Sequence, residues 1–268
     1  MYLPLKRKLQ STTGKLWALA AIAVILIVWQ LASATGLVEG YLLPSPVSVV
    51  KALIKEFPVL MEHTAVTLKE AFLGLLFGVS LGFVTAVLMD RFSRVYQAFY
   101  PLVVLTQTIP TVAIAPLLVL WFGYEMTPKV ILVVLTTFFP ITVGLLNGFR
   151  SADPDAINLL RSMGASRRQI FWHIKFPGAL GAFFSGLRIS ASYAVVGAVI
   201  SEWLGGFSGL GVYMTRVKKA YAFDKMFAVI FLISIISLLL MWGVDLLQKK
   251  CMPWDDRKET SYEKSSIN

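Results

Sequence analysis

The chain has 268 residues, 57% of them hydrophobic and only 15% charged, with a formal net charge of +10. So few charges cannot clothe a water-facing surface, which excludes an ordinary soluble globule, a disordered chain and a nucleic-acid-binding domain. A single cysteine, Cys251, excludes a disulfide framework and a cysteine-based metal site.

Six apolar runs follow one another: 16–38, 71–89, 95–124, 130–149, 178–201 and 226–244, the fifth interrupted only by Arg188. A helix needs ~20 apolar residues to cross ~30 Å of hydrocarbon, and alternation of period two is absent. The expectation is an all-α membrane protein with six transmembrane helices. The first run follows Lys6, Arg7, Lys8 and Lys15 as a signal peptide would. Its apolar core is longer than the ~7–15 residues of such peptides, so it is expected to stay as a helix. Beyond it, Leu43-Pro44-Ser45-Pro46 precedes Val47, Val50, Leu53, Ile54 and Phe57 at helical spacing, which predicts a short helix on the outer surface.

In the second run Gly74, Gly78 and Gly82 repeat every four residues. Small residues at that spacing let helices approach closely, either within one chain or at a seam between two copies. The third run holds Pro101, Pro110 and Pro116, is longer than one crossing needs, and is expected to be kinked. Its polar break at Thr106, Gln107, Thr108 and Pro110 either lines a solute path or serves helix–helix hydrogen bonds.

The segment 150–177 is too structured for a simple connection. Asp153 is a good N-cap and Pro154 a good first helical residue. Gly164 supplies a left-handed C′ position, and Ser166 with Gln169 forms a capping box that starts a second helix. That helix is expected to run to about Lys175 and to be stopped by Pro177. Ile157, Leu160 and Met163 share one face, Ile170, Phe171 and Ile174 another, and Arg161, Arg167 and Arg168 form a basic rim. This elbow either packs on the protein's own membrane base or docks in a groove of a cytoplasmic partner.

Further along, Arg188 is read as a helix-end or structurally paired charge in preference to a substrate contact. Glu202 closes the fifth run with a helix-end or gate hydrogen bond. Residues 205–211 lack the preceding strand of a nucleotide loop and read as a flexible turn. His63 and His173 are isolated, without metal-ligand spacing. With the N-terminus inside, 16 Lys and Arg fall in cytoplasmic segments and eight in outer ones, which favours both termini in the cytoplasm. The basic charge is thereby assigned to orientation and to anionic lipid.

On these residues the chain resembles a known family. Asp153-Pro154, Arg161 to Ser166, Ile170, Ile174 to Pro177 and Ser185 to Ile189 are similar to the inner-membrane permeases of bacterial ATP-binding-cassette importers. The family motif is Glu-Ala-Ala, three residues, Gly, nine residues, Ile, one residue, Leu-Pro. Gly164, Ile174 and Pro177 match it, while Asn158, Leu159 and Leu160 stand at Glu-Ala-Ala and Phe176 at Leu. Leu43 to Pro46, Pro110 to Phe122, Glu202 to Gly205 and Gly209 to Gly211 resemble the nitrate, sulfonate and taurine branch. The resemblance covers about residues 40–247, within the size of a single domain.

The resemblance implies a helix–Gly–helix coupling loop between spans four and five, with Asp155, Asn158, Leu160, Gly164, Ala165, Ser166, Ile170, Phe171, Ile174 and Pro177 meeting an ATPase. It implies a dimer of permeases, a solute-binding protein outside, and a translocation path to which Thr106, Gln107, Pro110 and Glu202 are assigned. The solute would be a sulfonate, taurine, nitrate or a thiamine or riboflavin precursor. No Gly-x4-Gly-Lys-Ser/Thr sequence occurs, so no cofactor is expected in this chain and ATP would be bound by the partner. The expected division is 1–63 for the N-terminal segment, first span and outer loop, 64–247 for a five-helix importer domain, and 248–268 for a polar cytoplasmic tail. The alternative is a secondary transporter driven by an ion gradient, which ordinarily carries intramembrane carboxylates; the span interiors show none, only edge residues such as Glu70, Glu202 and Asp245. An intramembrane enzyme would need an embedded His, Asp or nucleophile cluster, which is also missing from the runs.

Overall fold

A computed structural model describes residues 3–35 and 42–254, with the side chains of 3–15 and 18 outside that description. The basic side chains before the first run, residues 36–41 and the tail after Trp254 therefore lie outside the described residues. Every described element is helical: α1 (Leu3–Ala34), α2 (Pro46–Lys55), α3 (Phe57–Arg91), α4 (Ser93–Thr108), α5 (Thr111–Phe122), α6 (Met126–Arg150), α7 (Pro154–Ser162), α8 (Arg167–Ile170), α9 (Phe176–Leu204), α10 (Leu210–Lys219) and α11 (Phe223–Cys251). A π-helical turn, Phe171–Lys175, joins α8 to α9.

Among the described residues, four stretches are long and apolar enough to cross a membrane: Phe57–Arg91, Met126–Arg150, Arg167–Leu204 and Phe223–Cys251. A fifth candidate is the pair α4 and α5, bent by 98°. The expected kink thus falls at Ile109-Pro110, where Pro110 removes an N–H and forces its predecessor out of the helical region. Pro101 and Pro116 sit inside α4 and α5 without ending them. The described apolar part of α1, Leu19–Ala34, is shorter than a full crossing.

The chain forms two compact units. The first comprises Met1–Leu60 with Met214–Phe231. In it, Ser45 caps α2 by accepting from Ser48 N at 3.2 Å. Val49 and Ala52 of α2 pack with Ala228 beneath Trp29 and Phe227. The Trp29 indole also donates to the Pro44 carbonyl at 3.1 Å. The short helix expected from 47–57 corresponds to α2, which ends at Lys55, while Phe57 opens α3.

The second unit, Met61–Tyr213 with Leu232–Asn268, holds the functional features. The facing residues fix its helix directions. Glu70 meets Lys129, 59 positions on, and Gly74, Gly78 and Gly82 face Val133, Thr137 and Ile141 at the same offset. A constant offset means that α3 and α6 run in the same direction. By contrast, Gly144 faces Ala182, Gly148 faces Ala179 and Gly186 faces Pro140, so α6 and α9 are antiparallel. Arg188 pairs with Asp245 and Gly181 approaches Met252, so α9 and α11 are antiparallel too. Because α3 and α6 are parallel, residues 92–125 must carry the chain back from one end of the layer to the other, and the bent pair α4–α5 does so.

The glycine repeat thus serves packing within the chain. A Cβ at Gly78 would run into the Thr137 hydroxyl and one at Gly74 into the Val133 side chain. Gly243, in α11, has nothing within 4 Å. We expect Gly78→Val to cost about 1–3 kcal/mol by overpacking and to lower the melting temperature of the purified protein by several degrees, with Gly243→Val melting like wild type. Equal melting of the two variants would show that the close approach does not stabilise the fold.

Candidate functional site

The elbow begins at the end of α6. Asp153 accepts the Asp155 N–H at 2.9 Å and starts α7, with Pro154 in the first turn. Gly164 closes α7 at φ +82°. Its N–H donates to the Arg161 carbonyl at 3.0 Å, and the next N–H, from Ala165, reaches Leu160 at 2.9 Å. These two bonds form a Schellman closure, which satisfies the last carbonyls of the helix and turns the chain sharply. Ser166 and Gln169 then make the reciprocal capping box, at 3.3 Å and 2.8 Å.

Pro177 does not stop the second helix. The Phe176 N–H donates to the Phe171 carbonyl, five residues back, and α9 continues from there. Pro177 cannot donate to the residue four before it and its ring needs room; the widened turn at 171–175 supplies that room without breaking the rod. Arg167–Leu204 is consequently one helical stretch of 38 residues.

The two halves of the elbow face different ways. Ile170 is buried, and Phe171 and Phe176 pack against the cluster of Phe149, Ala179, Phe184 and Met252. The Phe171 and Phe149 rings are 5.2 Å apart. Phe171 and Ile170, expected in a docking face, are thus anchors into the protein's own base, and Ile174 is half-buried beside them. No residue of α7 is buried, and Leu159 and Met163 are 63% and 72% exposed. Asp155 and Asn158 are exposed on the same helix, and Leu160 is half-buried.

At the other end of α9 lies a buried polar cluster. Glu202, 1% exposed, accepts from the Thr67 hydroxyl at 2.7 Å and from Gly211 N at 2.6 Å. Thr67 in turn accepts from Leu210 N at 2.9 Å, and Nδ1 of His63 accepts from Gly209 N at 2.9 Å. Three successive N–H groups of the segment after α9 are thereby held by α3 and by the end of α9 itself. One helical turn along, Lys129 donates to Glu70 at 2.8 Å, with 5% and 1% side-chain exposure. Glu202 is therefore a helix-end hydrogen-bond centre, and Gly209, Leu210 and Gly211 of the expected flexible turn are held by hydrogen bonds.

The other residues assigned to a path belong to α4 and the bend after it. Thr106 donates to the Val103 carbonyl of its own helix at 2.7 Å, Gln107 is exposed, and Pro110 marks the bend. Arg188 is a paired charge, bonded to Asp245 and at 3.2 Å to Gln248. Sequence alone leaves His63 isolated and Glu70 at a span edge, and gives no sign of Thr67 or Lys129. One signal was present: the glycine stripe, extended back by one interval of four, lands on Glu70.

A family model for the inner membrane component of binding-protein-dependent transport systems matches residues 78–252. The chain is 37% identical over 251 residues to the formylaminopyrimidine transport permease protein of Halalkalibacterium halodurans, covering 93% of this chain and 98% of that one. It is 31% identical over 258 residues to the taurine transport system permease protein of Escherichia coli K12, covering 94% and 92%. Its structure is similar to a chain of the MetNI methionine ABC transporter, with a TM-score of 0.64 over 73% of this chain and 97% of that one, at 19% identity. The fold is that of the membrane-spanning subunit of an importer. The chain belongs to the binding-protein-dependent transport system inner membrane component family and is a permease subunit of an ABC importer. The family is one of transport permeases, not enzymes. The gradient-driven alternative gives way to this assignment, although the structure buries two carboxylates, Glu70 and Glu202, that sequence had put at span edges.

The buried pair allows a direct test. Lys129→Met leaves Glu70 buried without its cation and should cost about 3–5 kcal/mol, whereas Glu70→Met with Lys129→Met should recover most of that loss. Melting of the purified variants measures both; a single variant as stable as wild type would remove the pair from the structural framework.

Proposed function

We propose that α7 is the surface through which this permease receives motion from an ATP-binding-cassette ATPase, which binds the ATP. The observation that carries this reading is the exposed apolar pair Leu159 and Met163, at the end of α7, on an elbow whose second half is anchored by Ile170 and Phe171. An apolar surface held out on a rigid mount is suited to a partner groove. Two copies of the chain would form the pore, with α1 and the bent pair α4–α5 completing six crossings and residues 64–247 acting as the importer core. A solute-binding protein would deliver the solute at the Glu202 end, with the elbow and both termini in the cytoplasm and Thr106, Gln107 and Pro110 near the solute path. For the solute, the higher identity to a formylaminopyrimidine permease than to a taurine permease, 37% against 31%, favours a thiamine-precursor pyrimidine over a sulfonate.

Gly164 has φ +82° and nothing within 4 Å of a notional Cβ, so substitution there strains only the backbone. Gly164→Val should cost about 1–2 kcal/mol locally, while Asn, which tolerates the left-handed region, should cost less. Gly164→Val, Leu159→Asp and Met163→Asp should reach the membrane at normal level but lose co-purifying ATPase and solute uptake, and Gly164→Asn should keep both. Retention of the ATPase by all four variants would refute docking through α7.

Orientation is open to a thiol test, because Cys251 is exposed and is the chain's one cysteine. A membrane-impermeant maleimide should label Cys251 only after cells are opened. In a Cys251→Ser background, Phe207→Cys should be labelled in intact cells, since Phe207 is exposed in the segment after α9. The reverse pattern would invert the topology.

A further inference from the structure

The elbow encloses a cleft that docking by α7 leaves unexplained. Its volume is about 650 Å³, and it opens between the C-terminal end of α3 and the inner side of the elbow. Arg91 enters from α3, Arg161 from α7, and Arg167 and Arg168 from α8, with Lys175 and Asp90 deeper in the wall. The Asp90 carboxylate is already engaged: Lys175 Nζ donates to its two oxygens at 2.7 and 2.9 Å. Four guanidinium groups therefore line one cleft, and its one lining carboxylate is taken. Gathering like charges is unfavourable unless an anion is shared among them, and planar guanidinium groups match phosphate oxygens in pairs.

The remaining wall is apolar, formed by Val87, Ile157, Ile170, Phe171 and Trp172. Trp172 is 51% exposed, as is Phe92, whose ring lies 5.6 Å from the Arg91 guanidinium. Exposed aromatics beside cations at the end of an apolar helix mark the headgroup depth of a bilayer. A free anion needs no apolar wall, and an acidic peptide needs no position at the end of a span. Basic pockets between spans on the cytoplasmic side suit anionic headgroups.

We infer that this cleft binds the phosphate of an anionic phospholipid of the cytoplasmic leaflet, the guanidiniums holding the headgroup and the apolar wall the start of its chains. The inference rests on the cytoplasmic placement of the elbow proposed above. A bound lipid would brace α7 and α8 against α3, so that the elbow and the end of that span move together.

The test uses the full-length permease purified with its ATPase, exchanged into detergent doped with either phosphatidylglycerol or phosphatidylcholine and read by native mass spectrometry. Wild type should retain phosphatidylglycerol and not phosphatidylcholine, and an excess of inorganic phosphate should not displace it. Arg167→Gln with Arg168→Gln removes two charges and should weaken retention about thirtyfold. Arg91→Gln, outside the elbow, should weaken it in the same direction. ATPase co-purification and melting are read on the same samples, and both should stay near wild type in Arg91→Gln. Equal retention of the two lipids, or retention unchanged in the variants, overturns the inference. Displacement by inorganic phosphate makes the cleft a free-anion site and overturns the lipid assignment. Loss of the ATPase with lipid retention unchanged makes the arginines a partner face and also overturns it. Loss of phosphatidylglycerol retention in wild type with the ATPase still bound sinks this inference alone and leaves the docking role of α7 standing.

Discussion

The close seam between α3 and α6 is the constraint on which the rest of the second unit depends. Three glycines at intervals of four let the helix backbones approach, and the same interval places Glu70 against Lys129 at the head of the seam. In a membrane, association gains little from burying apolar surface, because lipid is equally apolar; packing and internal hydrogen bonds carry it. A seam of small residues capped by a buried ion pair supplies both, and the pair also fixes the register. A slip by one helical turn would set Glu70 against Val133 and Lys129 against Val66, or Glu70 against Glu125 and Lys129 against Gly74, each at the cost of unpaired buried charge.

The direction of that seam has consequences along the whole chain. Parallel α3 and α6 oblige the intervening 34 residues, 92–125, to return across the layer, which explains why this stretch is long and why it contains a bend at Pro110. The antiparallel steps from α6 to α9 and from α9 to α11 then bring the ends of α3 and α6, the start of α9 and the end of α11 to the elbow side. Met252, Phe149, Ala179 and Phe184 meet there in one buried cluster. At the opposite end, the start of α3 and the end of α9 meet through Thr67 and Glu202.

What the sequence reveals and what it hides divide along the range of the interactions. Gly164, the Asp153 cap and the Ser166–Gln169 box are legible because each is satisfied within a few residues, so local chemistry alone specifies them. The bend at Pro110 is legible for the same reason. Thr67, His63 and Lys129 carry no local signal, since their partners lie 143, 146 and 59 positions away. The inward turn of Phe171 is hidden too: periodicity shows that it shares a face with Ile170, but only the packing of Phe149 and Phe176 shows what that face touches. Pro177 misleads for a different reason. A proline in a helix usually ends it, yet here a wider turn before it absorbs the missing hydrogen bond.

That tolerance bears on how motion could pass through the molecule. Had Pro177 ended the helix, the elbow would hang from the first residues of α9 on a joint, and a push on α7 would be spent bending it. Instead the stretch Arg167–Leu204 is continuous over 38 residues, about 57 Å at 1.5 Å per residue. Its near end carries the elbow, anchored by Ile170 and Phe171. Its far end carries Glu202, which holds Gly211 N and the Thr67 hydroxyl. Under the proposed docking, a displacement of the elbow would pass along this continuous stretch to the far end as tilt or translation of α9. Pairwise sliding or rocking of packed helices is the response open to such a rod, because the antiparallel contact with α6 leaves little room for local bending. The hydrogen bonds around Glu202 are discrete and directional, and a small tilt there either keeps all of them or breaks several together. Under the proposed docking, those bonds are where movement of the rod would reach the segment 209–211.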